Sequence, residues 1–292
     1  MGQLPELWSA AGGAPLRVKV LSYNLFWWSL FDHGHPWMQR VYAQTNGNAA
    51  TQLISAANAQ DPFDVMGFQE CNDGDWLMKV TGLAAEYGIF RDRACCMAYR
   101  KASWTVLAKG VATAAEDPKY GDRPAQWMRL RNLQTGAVVF FLNHHGPIPI
   151  DQGGKCGAAA VGYNILQVIA GNARPGDAIV AVGDFNAHQG SATIQQIQRH
   201  LYRVFGGTAD GGIDHIFSNM GVGAVAATAN LGGGGSDHDA ISAVLQRGAP
   251  PPASQAQAAL PISQDVFNAG GSTSDALQSI MQQSPINWLR KQ

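Results

Sequence analysis

The sequence predicts an α/β domain, and three observations predict it. Short apolar runs of about four to eight residues, strand length, recur along the chain. Between them lie stretches whose apolar residues fall at helical spacing. Three of the runs stop at a side chain that bears oxygen: Asn24, Glu70 and Asp184. That recurrence is hard to credit to turns alone and points to a shared site at the strand ends.

Composition bounds the rest. At 292 residues, with 46% hydrophobic and 14% charged side chains, the chain is globular and long enough for one large domain with an ample core. A formal net charge of -1 gives no broad basic footprint for a polyanion. No apolar run reaches the roughly 18 residues of a membrane span. Met1 to Pro15 has neither a basic region nor an apolar core, so no signal peptide is visible, and a soluble, secreted or organellar location stays open should one have been removed. Cys71, Cys95, Cys96 and Cys156 do not form paired Cys-x-x-Cys units, which argues against structural zinc. Their even number permits two disulfides, but buried free thiols are the expectation.

Leu16 to Tyr23 mixes apolar residues with Arg17 and Lys19 as a strand does, and ends at Asn24. A loop crowded with Phe26, Trp27, Trp28, Phe31 and Trp37 follows, and its His33 and His35 read as solvated. Residues 46–60 carry Leu53, Ile54 and Ala57 at helical spacing before Asp61-Pro62 stops them. Phe63 to Phe68 is a strand running into Gln69-Glu70, and Asp75 to Leu83 a helix. Ala94 to Arg100 and Trp104 to Lys109 read as neighbouring strands around a turn at Lys101-Ala102-Ser103. Arg123 to Leu130 and Ala137 to Leu142 form a second hairpin, whose return strand runs out into Asn143-His144-His145. A loop rich in Pro and Gly, Pro147 to Gly157, is expected to cover or border the site at those strand ends.

Ala158 to Ala170 is a helix by the spacing of Val161, Ile165, Leu166 and Ile169. It leads into Val180-Ala181-Val182-Gly183-Asp184-Phe185-Asn186, a buried strand that delivers Asp184 and Asn186 to one cavity. Ser191 caps a helix reaching His200. Gly211 to Phe217 is a strand with Asp214 in its midst, a carboxylate that needs a partner among apolar neighbours. Ser236-Asp237-His238-Asp239 follows a glycine run, and Ala240 to Leu245 closes the domain as a strand. The division expected is an extension over 1–15, a catalytic domain over 16–247, a linker rich in Pro, Ala and Gln over 248–260, and a tail over 261–292 with one helical stretch, Ser274 to Gln283.

Six blocks, in this order, resemble the endonuclease/exonuclease/phosphatase superfamily: Ser22-Tyr23-Asn24, Gly67-Phe68-Gln69-Glu70, Asn143-His144-His145, Gly183-Asp184-Phe185-Asn186, Gly212-Ile213-Asp214 and Ser236-Asp237-His238. The resemblance runs from about Val18 to Leu245. It implies a four-layer sandwich, two mixed β-sheets packed face to face with helices on the outer faces, and a site where strand termini meet. It further implies that Asn24, Glu70, Asp184, Asn186 and Asp237 hold Mg2+ or Mn2+, a choice that hard oxygen donors without cysteine support. His238 would be the general base or phosphorus-stabilising group, oriented by Asp214. His145 fits the histidine that contacts the phosphoryl oxygen, though the usual threonine before it is His144 here, so either histidine could make that contact. Arg123 resembles an arginine that contacts phosphate; alternatively, Arg123 and Arg129 line an exposed strand face.

The activity implied is hydrolysis of a phosphodiester or phosphomonoester by water attacking in line. Substrates left open are a small phosphoester, a phospholipid head group and nucleic acid; the chain is expected to be a monomer, and no protein partner is evident. Two other readings of the same residues are hydration of an electrophile such as carbon dioxide and a catalytically silent binding module.

Overall fold

The computed structural model describes Trp8, Ala10, residues 13–26 and residues 49–248. The aromatic loop from Trp27 to Trp37 with its two histidines, the linker and the tail helix lie outside the described residues. Within them the strands are β1 (Leu16–Asn24), β2 (Val65–Gln69), β3 (Tyr87–Asp92), β4 (Cys95–Arg100), β5 (Trp104–Asp117), β6 (Gly121–Asn132), β7 (Val138–His145), β8 (Ala178–Asp184), β9 (Tyr202–Gly206), β10 (Asp214–Ser218), β11 (Val225–Asn230) and β12 (Ile241–Arg247). The helices are α1 (Ala49–Gln60), α2 (Gly74–Val80), α3 (Ala158–Asn172) and α4 (Ala192–Gln198).

The strands form two mixed six-stranded sheets, in the orders β11-β12-β1-β2-β4-β3 and β5-β6-β7-β8-β10-β9. Alternation along each strand sorts side chains between two faces. Val18, Val20, Val65, Val139, Phe141, Val180, Val182 and Ile216 meet between the sheets. Leu21, Tyr23, Met66 and Phe68 pack outward on Ile54 of α1 and Leu77 of α2. Phe140, Leu142, Ile179 and Ala181 pack outward on Val161 and Ile165 of α3 and Ile194 of α4. The architecture is therefore the four-layer α/β sandwich expected.

Helix positions follow the spacing read in the sequence. Ser191 caps α4, its side chain accepting from Ile194 N. Asp73 caps α2 in the same way through Trp76 N. The expected hairpin at Lys101–Ser103 is not one: β4 lies between β2 and β3 in the first sheet, whereas β5 pairs only with β6 in the second. Those three residues cross from sheet to sheet, a step that local turn chemistry cannot distinguish from a hairpin. Asp214 opens its strand rather than standing in its middle. The expectation of free thiols fails for one pair, since Cys71 and Cys96 form a disulfide that ties the segment after β2 to β4. Cys95 is free and buried and Cys156 free and exposed.

Candidate active site

Strand alternation also assembles the site. Each inner face continues past its apolar residues to a polar one at the same end: Val20, Ser22 and Asn24 on β1, Val180, Val182 and Asp184 on β8, and Phe141, Asn143 and His145 on β7. Ladder register then aligns them. Asp184 lies opposite Asp214 on antiparallel β10 and opposite His145 on parallel β7, and Asn24 lies beside Gln69, the residue before Glu70. Gly183 belongs to the same packing. A Cβ there would lie 2.0 Å from the carbonyl oxygen of His144, so the glycine admits the β7 backbone.

Asn24 bridges the two sheets: its Nδ2 lies 3.0 Å from Asp184 Oδ2, 3.3 Å from Glu70 Oε1 and 3.5 Å from His238 Nε2. The backbone N–H of Asn186 donates to Asp184 Oδ1 at 2.8 Å, and its side chain to Gly146 O at 3.1 Å. Ser236 Oγ donates to Asn24 O at 2.7 Å and accepts from His238 N at 3.1 Å. Tyr23 donates its hydroxyl proton to Gly233 O. Together these bonds hold the loop that carries Asp237 and His238 against the end of β1.

His238 Nδ1 lies 2.8 Å from Asp214 Oδ2. A carboxylate only accepts, so Nδ1 carries the proton and Nε2 is left as the basic nitrogen, 3.8 Å from Asp184 Oδ2 and 4.0 Å from Asp237 Oδ1. Burial by itself would lower this imidazole, but the charges of Asp214 and Asp184 and the hydrogen bond to Asp214 outweigh it and raise it well above the usual histidine value. His145 is tuned the other way. Burial, then the charge of Arg123, hold it well below the usual value and therefore neutral. Arg123 Nη1 is 3.3 Å from its Nδ1 and can only donate, so the proton of His145 sits on Nε2, 3.5 Å from Asp184 Oδ2.

His144 stands apart from this cluster. It is fully buried on the opposite face of β7, with Nδ1 2.8 Å from Pro124 O and its ring against Phe185. Burial brings it down to about 4. The exposed strand face considered for the arginines is also absent. Arg123 pairs with Asp117 at 3.0 Å and Arg129 with Asp177 at 2.7 Å, and both side chains are mostly covered.

Asp117 was missed in the sequence. Its Oδ1 accepts from the backbone of Lys119 and Tyr120, and its Oδ2 from Arg123 and from Ile148 N. Burial opposes its charge, but these four donors bring it below the ordinary carboxylate value. One buried carboxylate thus fixes the β5–β6 turn, the Arg123 guanidinium and the loop after β7. The only signal for it was Asp117-Pro118, a turn-initiating pair.

The donor chemistry fits a divalent cation. Asp184, Asp214 and His238 are buried and present ligand atoms all within 4.8 Å of one another, a group that could hold a metal ion, although the 2.8 Å contact between Asp214 and His238 engages those two with each other and leaves Asp184 as the ligand of the three. Burial, with the charge of Asp214, raises Asp184 to about 6. Desolvation, with the charges of Glu70 and Asp210, raises Asp237 to about 7, although its side chain keeps 34% of its surface open. Carboxylates that crowd one another in this way call for a counter-charge.

A sandwich of this kind, with carboxylates and histidines gathered where strand termini meet, is the arrangement expected of the superfamily that the six sequence blocks resemble. A model of the Endonuclease/Exonuclease/phosphatase family matches residues 33–238, and the chain belongs to that family. No curated protein sequence matches it. Among solved structures it is similar to an endonuclease/exonuclease/phosphatase family protein from Bacteroides thetaiotaomicron, at 20% identity and TM-score 0.60 over 80% of this chain and 98% of that one. It is also similar to a mannosyl-6-phosphatase of the same organism, at 19% and 0.58 over 78% and 99%. A third is D. rerio TDP2 complexed with single-strand DNA product, at 15% and 0.56 over 78% and 98%. At these identities the likeness is one of fold.

Proposed function

We propose that this protein hydrolyses small phosphoesters with the help of a divalent cation, Mg2+ or Mn2+. The observation that carries the reading is the convergence, from five separate strands and loops, of Asn24, Glu70, Asp184, Asp214, Asp237 and His238. Asn24, Glu70, Asp184, Asn186 and Asp237 would hold the cation, with the Asn24 amide turned so that its oxygen faces it. Once bound, the cation supplies charge neutralisation for the phosphoryl oxygens and the leaving alkoxide. With the cation's charge set against those of Asp184 and Asp237, which otherwise keep the ring protonated, His238 would take a proton from the attacking water at Nε2, and Asp214 holds its ring in the tautomer that can do so. His145 offers its Nε2 proton to a phosphoryl oxygen, and Arg123 holds that ring in turn.

The charge of the mouth supports a small substrate over a polynucleotide. Glu70, Asp151, Asp210, Asp237 and Asp239 gather on the surrounding loops, linked through His188, Thr208 and one another's fields. Of the cations nearby, Arg123 is paired with Asp117 and Lys155 with Glu116, which leaves Lys119 beside Tyr120 against five carboxylates. Such a rim repels a long phosphate backbone.

The test is a panel of phosphomonoesters, head-group diesters and oligonucleotides, each assayed with Mg2+, Mn2+ and a chelator. Hydrolysis of small esters that is lost with the chelator, and reduced about a thousandfold or more in Asp184→Ala, is expected. Cleavage that survives the chelator, or none with any cation, would sink the reading.

A further inference from the structure

The β5–β6 hairpin overhangs the sheet at the site. The β6–β7 ladder starts at Ala125 opposite His144, whereas β5 and β6 stay paired beyond it, to Asp117 opposite Gly121. The tip is not a free-swinging loop, because Asp117 accepts from the backbone of Lys119 and Tyr120 and ties them to Arg123 and Ile148. On this fixed tip Tyr120 leaves 49% of its surface open, one of few large hydrophobic side chains so exposed among the described residues. Its ring lies 5.5 Å from the Arg123 guanidinium, whose Nη1 lies 3.3 Å from His145, itself 3.5 Å from Asp184. Lys119 Nζ, 4.8 Å from the same ring, has no carboxylate partner among the described residues. An open aromatic ring is thus held one guanidinium away from the groups that would meet the phosphate.

We propose that Tyr120 selects phosphoesters whose alcohol side carries a ring, aromatic or sugar, which packs on the tyrosine while the phosphoryl group meets His145 and the cation. The inference rests on the phosphoesterase reading above. Aromatic packing is sequence-neutral and shape-tolerant, so it sets a preference among leaving groups and leaves the chemistry alone. Arg123 and Asp117 belong to the site itself, while Tyr120 contributes binding only to one class of substrate.

The experiment compares phenyl phosphate with glycerol 3-phosphate, with Mn2+ present, for the wild type, Tyr120→Ala and Tyr120→Phe. The Ala variant keeps the backbone N–H that Asp117 needs. It is expected to lose about fivefold to tenfold in kcat/KM for phenyl phosphate, through KM, with glycerol 3-phosphate changed less than about twofold. Tyr120→Phe, which keeps the ring, is expected to behave as wild type. Where turnover of either ester is slow, its Ki against bis-p-nitrophenyl phosphate is compared in the same way. Equal losses for the two esters would show that the substitution acts through Arg123 and overturn the proposal, as would no loss for either. Absence of hydrolysis of all three esters in the wild type would instead sink the phosphoesterase reading, and this proposal with it.

Discussion

His238 has one nitrogen to work with, because Asp214 occupies the other. Replacing Asp214 by Asn keeps the shape of that contact, but an amide can donate to Nδ1 and so favour the tautomer whose Nε2 carries the proton. It also removes the charge that raises the imidazole. The rate constant kcat should fall about a hundredfold or more with little change in KM, as steady-state kinetics will show. Unchanged kcat would remove His238 from the role of base. The acid pair predicts a second behaviour. Without a cation Asp184 rests at about 6 and Asp237 at about 7, and a ligand carboxyl must lose its proton to coordinate. Apparent Mn2+ affinity, measured by calorimetry, should therefore be full above pH 8 and fall about tenfold or more by pH 5.5. A flat profile would place the cation elsewhere. Asn24, Glu70 and Asp184 were legible because each stands where an apolar run stops abruptly, whereas His238 was read from the resemblance of the Ser236-Asp237-His238 block. Asp117 was not, because its importance comes from four donors brought to it by separate parts of the fold. The two histidines of the Asn143-His144-His145 block were indistinguishable until strand alternation put one on each face of β7.

Among the elements, the segment leaving β2 carries the most consequence. Glu70 sits there at φ 53, Cys71 N donates to Ala94 O at 2.9 Å, and the Cys71–Cys96 disulfide closes a loop of sequence separation 25. Cross-linking a loop of that length removes unfolded-state freedom worth about 3 kcal/mol. Cys71→Ser with Cys96→Ser, or treatment with a dithiol reductant, should lower the urea midpoint correspondingly; an unchanged midpoint would mean the bridge adds nothing. The strands that sequence reading missed share a physical cause. β11 is an edge strand of Val, Ala, Thr and Asn with its side chains largely exposed, so it lacks the alternation that marks a half-buried strand. β3 contains Gly88, and a Cβ at that position would overlap the Tyr99 ring at 2.5 Å. That glycine is dictated by a neighbour across the sheet and weakens the local strand pattern. β9 is short and follows α4 after three residues. Cysteine pairing was illegible for a similar reason, since which thiols meet depends on β2 and β4 being neighbours.

At the scale of the molecule, the site exists only because two sheets close to a fixed separation, so that Asn24 of one reaches Asp184 of the other at 3.0 Å. Gly67 reports that separation. A Cβ there would lie 2.6 Å from Val182 Cγ2 and 2.9 Å from Asn143 Oδ1. Neither neighbour can give way easily. Val182 is β-branched and fully buried, and the Asn143 amide is fixed by bonds to Phe68 O and Cys96 O and from Gln69 Nε2. Replacing Gly by Ala at a compatible position gains about 0.4 to 1 kcal/mol from the unfolded chain, whereas overpacking a core costs about 1 to 3 kcal/mol. The second effect should win, and the sheets should part where the ligands meet. Gly67→Ala is thus expected to lower the urea midpoint and to weaken Mn2+ binding together, although it touches no ligand. A variant that is as stable as wild type, or one destabilised with cation affinity intact, would show that the distance between the sheets does not govern the site.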